Sequence, residues 1–368
     1  MATELGMALS DKGHEVHFIT YKQPVRLALG FHPNLYFHEV NVPTYPLFDF
    51  PPYEPALASA MVDVIVNQRL DVLHLHYAIP HASAAYFARQ ILLKTGRDIP
   101  FITTLHGTDI TLVGRDPTYE PVVTFSINES DAITAVSQNL KDETLREFKI
   151  EKDIHVIPNF VDVKRFHQTD KGHFKKMLAP EGERILVHVS NFRPVKRVAD
   201  VVKVFNIVRQ HIPAKLLMIG DGPDRQANED MARCMGIYQD IRYLGKQEQI
   251  SEILSIADLF LLPSESESFG LSALEAMACM VPLVSTNAGG LPEINVNGKT
   301  GFLSAVGDVE DMAKHALYIL SDDQRLAQFK KNAIAQARKF EKQHIIPMYE
   351  QLYSEVVTAH AAKRALSV

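Results

Sequence analysis

One stretch of the sequence, residues 259–290, constrains the fold most strongly because it reads as strand, loop, helix and strand in immediate succession. An apolar run, Leu259–Leu262, ends at Pro263, and a polar loop follows it. Apolar side chains then recur at helical spacing within Leu271–Ala278, and a second extended segment begins at Pro282. Strands joined by a helix are the unit of a parallel sheet, so the stretch predicts an α/β fold.

Two carboxylates bracket the loop and helix of this stretch, Glu267 before the helix and Glu275 on its second turn. The amino end of a helix offers unpaired N–H groups and a positive dipole of about half an elementary charge, so a phosphate binds there readily. Carboxylates repel phosphate and suit hydroxyl groups, so the combination predicts a sugar-nucleotide site. Without this context, two glutamates at this spacing are more often one exposed loop residue and one helix-surface residue.

Short strands rich in Val, Ile and Leu alternate with helical stretches along the chain, which indicates parallel sheets. The predicted strands are Glu15–Thr20, Leu35–Val42, Asp71–His76, Phe101–Leu105, Ala132–Val136, Ile154–Ile157, Arg184–Val189, Lys215–Ile219, Ile241–Leu244, Leu259–Leu262, Pro282–Ser285 and Gly301–Leu303. The pattern is interrupted at Pro158–Phe166 and at residues 171–183. We therefore predict two Rossmann-like βαβ domains facing each other across a cleft, an acceptor-binding domain at residues 1–165 and a nucleotide-sugar-binding domain at residues 166–344. The tail from residue 308 is predicted to be helical throughout, with Pro347 marking a kink or a new start. Its last helix, from about residue 345 to 368, is predicted to pack back on the first domain.

The composition excludes several classes of protein. The net charge of −6 gives no basic surface for nucleic acid. Cys234 and Cys279 are too few for a disulfide framework, have no metal-site spacing and are expected to fill apolar helix faces. No apolar run approaches the roughly 20 residues of a membrane span, and the first residues lack a signal-peptide pattern. We expect a cytoplasmic protein with no membrane span.

A second polar group follows the first strand of the second domain, in the segment Ser190–Arg197. Arg193 and Lys196 lie where that strand is predicted to end, and two cations there can neutralise a diphosphate leaving group. A basic surface loop is the alternative, but Glu267 and its context later in the chain favour the functional interpretation. Asn191 is assigned to the same donor site.

Three further positions carry weaker signals. Gly220 begins a Gly-Asp-Gly-Pro turn that lets the backbone approach a ligand closely, although an ordinary strand-to-helix turn fits as well. Leu244 ends the following strand, where backbone amides can reach a flat base. In the first domain, His106 ends a strand and is followed by Gly107, so its ring can point into the cleft. A lone histidine is more often a hydrogen-bonded core or rim residue.

These motifs together resemble a known family. The spacing Glu267-x7-Glu275 with SFG inside it is similar to the EX7E signature of retaining glycosyltransferases of family 4, which have the GT-B fold. The stretches HYAIPHA, TTLHGTDIT and VSNFRPVKR resemble one branch of that family, the N-acetylglucosaminyl-L-malate synthases of bacillithiol biosynthesis. The likeness extends from Ala2 to about Tyr353.

The resemblance implies a reaction and a donor site. The reaction is transfer of N-acetylglucosamine from UDP-N-acetylglucosamine (UDP-GlcNAc) to the hydroxyl of L-malate, with retention at the anomeric carbon. Arg193 and Lys196 are implied to bind the diphosphate, and Glu275 to hold the ribose. The sugar and phosphate are implied to contact Glu267 and the backbone of Phe269, Gly270 and Leu271.

The resemblance also implies roles in the first domain. His106 is implied to contact the donor sugar near its reacting carbon, which makes His106, Glu267, Arg193 and Lys196 the implied catalytic set. The implied malate contacts are Arg26, Tyr77 and Thr104. A cation such as Arg26 makes chemical sense for a dicarboxylate.

Two features depart from the family pattern. Family members begin with a strand and a glycine-rich turn, whereas this sequence begins at the following helix, so we expect the first strand of the N-terminal domain to be absent through truncation. Met280 stands where the family has Gly, which permits positive φ at a helix end. Methionine in the same backbone conformation would cost about 1 kcal/mol or more.

We predict that the transfer requires no metal or other cofactor. No aspartate pair is placed to hold Mg²⁺, and Arg193 and Lys196 can replace the ion at the leaving group. A homodimer is left open. So are a family 4 enzyme with another acceptor, such as an inositol phosphate or a glycan, and a catalytically impaired UDP-sugar-binding fragment. An NAD-dependent dehydrogenase is poorly supported because no G-x-G-x-x-G follows a strand.

Overall fold

The computed structural model describes residues 1–24, 27, 32–42, 49–169 and 172–366, which divide into two compact units. The first comprises Met1–Pro158 with Lys342–Val368, and the second comprises Asn159–Glu341. The division falls after Pro158, whereas the sequence analysis put it after Arg165. The chain just after Pro158 belongs to the second unit because Val161 donates its N–H to the carbonyl of Phe340 at 2.9 Å.

The first unit alternates strands and helices in the predicted order. Its elements are α1 (Ala2–Ser10), β1 (Val16–Thr20), β2 (Leu35–Glu39), α2 (Tyr53–Gln68), β3 (Leu73–His76), α3 (Ser83–Leu93), β4 (Phe101–Leu105), α4 (Glu120–Glu129), β5 (Ala132–Ala135), α5 (Gln138–Glu147) and β6 (Ile154–Val156). A π-helical turn follows β3 at Ala78–Ala82, and another follows β4 at Thr108–Leu112. Both strands therefore end in irregular backbone, which sets the direction of the polar side chains at these two strand ends.

The strands of the first unit form two parallel sheets. β1 pairs with β2, and β3, β4, β5 and β6 pair in chain order. The core between strands and helices contains Leu57 and Met61 of α2, Ala88 of α3, Leu75 of β3 and Phe101 of β4, all buried. Burial of these apolar side chains stabilises the unit and brings the carboxyl ends of β3 and β4 side by side.

The second unit continues the alternation. Its elements are α6 (Gly172–Leu178), β7 (Arg184–Val189), α7 (Val198–Arg209), β8 (Ala214–Ile219), α8 (Arg225–Cys234), β9 (Ile241–Gly245), α9 (Ile250–Ser255), β10 (Leu259–Leu262), α10 (Leu271–Ala278), β11 (Leu283–Thr286), α11 (Leu291–Ile294), β12 (Gly301–Ser304), α12 (Val309–Leu320) and α13 (Asp323–Ala337). Every strand predicted from an apolar run in the sequence is present in the structure.

The six strands of the second unit form one parallel sheet in the order β12-β11-β10-β7-β8-β9. The chain starts in the middle at β7, proceeds outward on one side through β8 and β9, and returns to the other side at β10. The strand order reverses between β7 and β10, and ligands of open α/β sheets bind beyond the carboxyl ends of strands at such a point. The topology therefore directs attention to the loops that follow β7 and β10.

The last helix, α14 (Lys342–Leu366), belongs to the first unit. It runs through Pro347 without a new start, and the tail from residue 308 is helical, as predicted, in the helices α12, α13 and α14. Glu350 of α14 pairs with Lys12 and lies 3.0 Å from His14. Tyr349 is also buried. These contacts tie α14 to elements near the start of the chain.

Two expectations about individual segments need correction. The charged segment after residue 170, expected to be irregular, contains α6, which has no buried residue and so no apolar face to reveal it. Cys279 is buried as expected, but Cys234 is exposed at the end of α8. α1 buries Leu5, Ala8 and Leu9, together with Gly6 and Ser10.

Candidate active site

The loops that follow β7 and β10 are joined by an ion pair. The Nζ atom of Lys196, after β7, lies 2.6 Å from Oε1 of Glu267, after β10. The backbone reinforces this contact, because the N–H of Glu265 donates to the carbonyl of Val195 at 2.8 Å. The two predicted site residues therefore meet at the point where the strand order of the sheet reverses.

Glu267 is held by contacts to its side chain and to its backbone. The hydroxyl of Ser264 donates to Oε1 of Glu267 at 2.9 Å, and the N–H of Gly290 donates to the Glu267 carbonyl at 2.8 Å. Gly289 has φ +59°, and a Cβ at this position would lie 2.0 Å from the Glu267 carbonyl oxygen. The turn after β11 therefore packs against Glu267.

Arg193 and Asn191 lie exposed in the loop after β7. Within the part of the chain that the structure describes, the Arg193 guanidinium has no hydrogen-bond or ion-pair partner. The Lys196 ammonium, by contrast, is already paired with Glu267. Of the two cations predicted to bind the donor, Arg193 is therefore open to an anion from solution, whereas Lys196 is paired with a carboxylate.

The amino end of α10 follows Glu267 closely in the sequence, because the helix begins at Leu271. Gly270 precedes the helix with φ +89°, and a Cβ there would lie 2.6 Å from Cδ2 of Leu291. Phe269 is buried and contacts the ring of Phe340 edge-on, with centroids 5.6 Å apart. Leu271 begins the helix. Only glycine fits the turn at position 270, and this turn sets the direction of the first N–H groups of α10.

Glu275 lies on the second turn of α10 and is buried. Burial raises the pKa of the Cys279 thiol to about 12, and the negative charge of Glu275 acts in the same direction. The thiol is therefore protonated at neutral pH and does not compete as a nucleophile.

Gly220 and Leu244 lie where the loops after β7, β8 and β9 meet. Gly220 has φ +119°, and a Cβ there would lie 1.8 Å from the Ser190 carbonyl oxygen. Its N–H donates to the carbonyl of Gly245 at 2.8 Å, and Gln247 donates its side-chain N–H to the Leu244 carbonyl at 2.6 Å. The predicted turn residues thus lie at the same edge of the sheet as Arg193 and Lys196.

His188, which the sequence analysis did not select, is buried on β7 beneath this loop. Its Nδ1 lies 2.9 Å from the Leu261 carbonyl, which can only accept, so Nδ1 carries the proton. Burial lowers the pKa of His188 to about 4, and the charge of Lys196 acts in the same direction. The neutral ring then accepts at Nε2 from the Ser190 hydroxyl, 2.8 Å away, which commits the only proton of that hydroxyl. The Ser190 hydroxyl is therefore not available as a donor to phosphate.

His106 of the first unit lies in a group of rings at the ends of β3 and β4. Its Nε2 is 2.8 Å from Nδ1 of His76, and its ring centroid is 5.0 Å from that of Tyr77. Burial lowers the pKa of His106 to about 3, so the ring is neutral at pH 7. Tyr77 is partly exposed and has φ +80°, a conformation that non-glycine residues rarely adopt.

Asp109 fixes the two loops that carry these rings. Its buried carboxylate accepts from the N–H of Ala78 after β3 and of Gly107 after β4, each at 3.0 Å. Burial raises the pKa of Asp109, whereas its hydrogen bonds to backbone N–H groups act in the opposite direction. Asp109 belongs to the stretch TTLHGTDIT, and the structure shows that it links the two loops.

Thr104 is completely buried, and its hydroxyl already has partners inside the protein. Its Oγ1 lies 2.6 Å from Nε2 of His74 and 2.6 Å from Oγ1 of Thr134. His74 in turn contacts the Tyr353 hydroxyl of α14 at 2.7 Å. Thr104 therefore belongs to a buried network beneath the strand ends. Arg26, another predicted acceptor contact, lies outside the described residues.

The residues predicted to bind the sugar nucleotide thus lie at one edge of the sheet of the second unit. His106 and Tyr77 lie close together at the ends of β3 and β4 in the first unit. Among the residues described, no cluster of three or more His, Cys, Asp or Glu side chains has the arrangement of a metal site. A search of the same residues for a helix with the length and apolarity of a membrane span finds none.

Comparisons with known proteins match both units. Residues 1–165 match the family described as Glycosyltransferase Family 4, and residues 170–336 match the family described as Glycosyl transferases group 1. The chain is 44% identical over 363 residues to the N-acetyl-alpha-D-glucosaminyl L-malate synthase of Bacillus anthracis, covering 97% of this chain and 93% of that protein. It is 30% identical over 301 residues to a glycogen synthase of Mycobacterium tuberculosis, covering 77% of this chain and 69% of that protein.

Solved structures share the architecture at lower identity. Sucrose-phosphate synthase from Thermosynechococcus elongatus superposes with a TM-score of 0.82 at 20% identity, covering 97% of this chain and 93% of that chain. Anabaena Alr3699/HepE in complex with UDP and glucose gives a TM-score of 0.78 at 19% identity, covering 96% and 95%. At these identities the likeness bears on the fold.

Proposed function

As a member of the family 4 glycosyltransferases with the GT-B fold, the chain is a transferase, and we propose that it moves N-acetylglucosamine from UDP-GlcNAc to L-malate with retention. The observation that carries the proposal is the pairing of Lys196 with Glu267 at the point where the strand order reverses. The name of the Bacillus anthracis relative supports the choice of sugar and acceptor.

On the donor side, each group of the substrate has a chemical counterpart. Arg193 and Lys196 neutralise the diphosphate, and the amino end of α10 adds N–H groups and its dipole. Asn191, Gly220 and Leu244 line the nucleotide. Glu275 accepts hydrogen bonds from the ribose hydroxyls. Glu267 accepts them from the sugar, and the backbone of the turn at Phe269–Leu271 contacts the phosphate.

The proposed chemistry is attack from the same face as the leaving group. The malate hydroxyl oxygen forms a bond to the anomeric carbon while the bond from that carbon to the phosphate oxygen of UDP breaks. The departing phosphate oxygen takes the malate proton, and the cations stabilise the charge that remains on the diphosphate. In this mechanism Glu267 accepts hydrogen bonds from the sugar hydroxyls and does not act as a nucleophile. A covalent sugar trapped on Glu267 would refute this mechanism.

In the first unit, we assign His106 to the donor sugar and Tyr77 to the acceptor. Arg26 remains the proposed cation for the malate carboxylates. Thr104 is assigned a supporting role rather than an acceptor contact, because its hydroxyl is buried and bonded to His74 and Thr134.

The direct test is product formation by the purified full chain. Incubation with UDP-GlcNAc and L-malate is expected to give a GlcNAc-malate conjugate by mass spectrometry, and the anomeric proton coupling in its NMR spectrum is expected to show the α-configuration. Omission of malate is the matched control. Conjugation of an inositol phosphate or a glycan instead of malate would identify a different acceptor, whereas UDP binding without any transfer would indicate an impaired sugar-nucleotide-binding protein.

A further inference from the structure

His76 and His106 end two neighbouring strands and share a hydrogen bond. β3 and β4 pair in register from Leu73 opposite Phe101 to His76 opposite Thr104, so the two rings emerge at the same edge of the sheet. Nδ1 of His76 lies 2.8 Å from Nε2 of His106, and the ring centroids are 5.1 Å apart. The contact is direct and involves a defined nitrogen of each ring.

Both rings are neutral at pH 7. Burial lowers the pKa of His106 to about 3 and lowers that of His76 well below its usual range. A neutral imidazole has one N–H donor and one lone-pair acceptor, so only one of the two facing nitrogens carries a proton. The bond therefore couples the tautomers: the protonation of Nδ1 of His76 decides whether His106 carries its proton on Nδ1 or on Nε2.

The other nitrogen of His106 is the one left for a ligand. Among the described residues, Nδ1 of His106 has no hydrogen-bond partner. If His106 contacts the donor sugar, it does so through Nδ1, and the sugar meets a donor or an acceptor according to the tautomer. A histidine free to change tautomer would present the correct group for only part of the time.

We propose that His76 is a positioning residue for His106, which it holds in one ring orientation and one tautomer so that Nδ1 faces the donor sugar with a fixed hydrogen-bonding character. The proposal rests on the proposed function, because it takes His106 as the residue that meets the sugar.

His76 is itself held by groups on several elements. Its ring packs on that of His74, with centroids 4.6 Å apart. His74 is fixed at both nitrogens, by the Tyr353 hydroxyl of α14 at 2.7 Å and by Oγ1 of Thr104 at 2.6 Å. This series of contacts gives the buried network beneath the strands a function: it transmits a fixed geometry from α14 to His106.

Two substitutions at residue 76 separate hydrogen bonding from shape. In His76→Asn the amide group lies close to the former position of Nδ1 and can bond to Nε2 of His106, whereas His76→Leu fills similar space without a polar atom. We expect His76→Leu to lower kcat by about 10- to 100-fold with little change in the KM for UDP-GlcNAc, which is the scale of a small displacement of a catalytic group. We expect His76→Asn to recover most of that loss.

A double-mutant cycle shows whether His76 acts through His106. In a His106→Ala background, His76→Leu is expected to cause little further loss, because the residue that it positions is gone. An equal loss in both backgrounds, or no recovery by Asn, would overturn the proposal. Circular dichroism and thermal unfolding identify any variant that has lost its fold. If His76→Leu does not fold, the kinetics of His76→Asn are compared with those of the wild type in both backgrounds.

The tautomer can be observed without catalysis. ¹⁵N NMR of the full chain labelled at histidine, with His106→Ala used to assign the signals, is expected to show a single neutral tautomer for His106 and tautomer averaging in His76→Leu. Averaging between the two tautomers of His106 in the wild type would overturn the proposal.

His17 and His38 provide a matched control, because they form another histidine pair at 2.8 Å on β1 and β2. His38→Leu should leave the His106 signal and kcat unchanged. Absence of transfer in every assay, with a fixed tautomer in the wild type, would count against the proposed function and not against the positioning.

Discussion

Lys196 and Glu267 form an ion pair across the two loops that follow β7 and β10, with Nζ 2.6 Å from Oε1. Both side chains are largely shielded from solvent, at 21% and 12% exposure. In the proposed reaction each exchanges its partner for part of the donor, the diphosphate for Lys196 and the sugar hydroxyls for Glu267. The pair compensates the charge of each side chain in the structure.

Removal of the Lys196 charge tests this exchange. Lys196→Ala should lower kcat by about 100-fold or more, because one electrostatic donor to the leaving group is lost. Lys203→Ala is the control, since Lys203 lies on α7 and pairs with Asp200 at 3.3 Å. Steady-state kinetics with UDP-GlcNAc and malate measure both variants, and near-normal turnover in Lys196→Ala would remove this residue from the leaving-group role.

The turn at Gly289 offers a steric test of Glu267. In Gly289→Ala the new methyl group meets the Glu267 carbonyl oxygen at 2.0 Å, so the Glu267 loop must move. Gly298→Ala is matched, because Gly298 also has positive φ but a Cβ there has no neighbour within 4 Å. Each variant strains the backbone by about 1 kcal/mol, and only Gly289→Ala should lose turnover, by about 100-fold. Equal kinetics in the two variants would contradict the supporting role of the turn.

Met280 predicts a stabilising substitution. It has φ +64° after α10, where its N–H bonds to the Met277 carbonyl and that of Val281 bonds to the Ala276 carbonyl, each at 3.0 Å. This is the Schellman arrangement that favours glycine. Met280→Gly should relieve about 1 kcal/mol of strain and raise the Tm by about 2–4 °C.

The control for Met280 is Met235, which ends α8 with φ −78°. Met235→Gly relieves no strain there, so differential scanning calorimetry should show no rise in Tm. If both variants responded alike, the effect would not come from the backbone conformation.

The buried His188 predicts a loss of stability in acid. Its pKa falls from an ordinary value near 6.5 to about 4 in the folded chain, so only the unfolded chain takes up a proton between these values. Its contribution is complete above pH 6.5 and declines as the pH falls, by about 2 kcal/mol at pH 5 relative to pH 8. His74 and His106, with pKa values of about 4 and about 3, act in the same direction.

Urea unfolding at pH 8 and pH 5 measures this dependence. His188→Asn removes the titrating group and should reduce the pH dependence of unfolding, whereas His211→Asn, at an exposed position, should leave it unchanged. An unaltered pH dependence in His188→Asn would show that the buried ring does not control it.

Metal removal tests the proposed replacement of Mg²⁺ by cationic side chains. Because Arg193 and Lys196 supply positive charge at the leaving group, turnover should persist after dialysis against EDTA. Adding Mg²⁺ back to the dialysed protein is the control, and recovery of activity only with Mg²⁺ would contradict the assignment.

The sequence predicted the strands well because apolar runs bounded by turn residues report directly on burial within parallel sheets. The resemblance to a family that has Gly at this position indicated a helix end suited to positive φ, and Met280 has φ +64°. The sequence analysis missed α6 because that helix buries nothing. Pro347 was expected to mark a kink or a new start, but α14 runs through this residue without a new start.

The side-chain contacts of the site could not be predicted from local sequence, because they join residues that are far apart along the chain. The family resemblance implied that Thr104 contacts the acceptor, but its hydroxyl contacts His74, which is held by Tyr353 from a helix far along the chain. The His76–His106 bond likewise depends on the register between β3 and β4. Local sequence predicts which groups reach a strand end, and tertiary structure decides which of them are already bonded.

The most direct test of the account is a crystal structure of the protein with UDP bound. We predict the diphosphate within hydrogen-bonding distance of Arg193 and Lys196 at the amino end of α10, with the ribose hydroxyls on Glu275. A nucleotide bound anywhere else, or bound here with Lys196 still paired to Glu267 and out of reach of the phosphates, would contradict it.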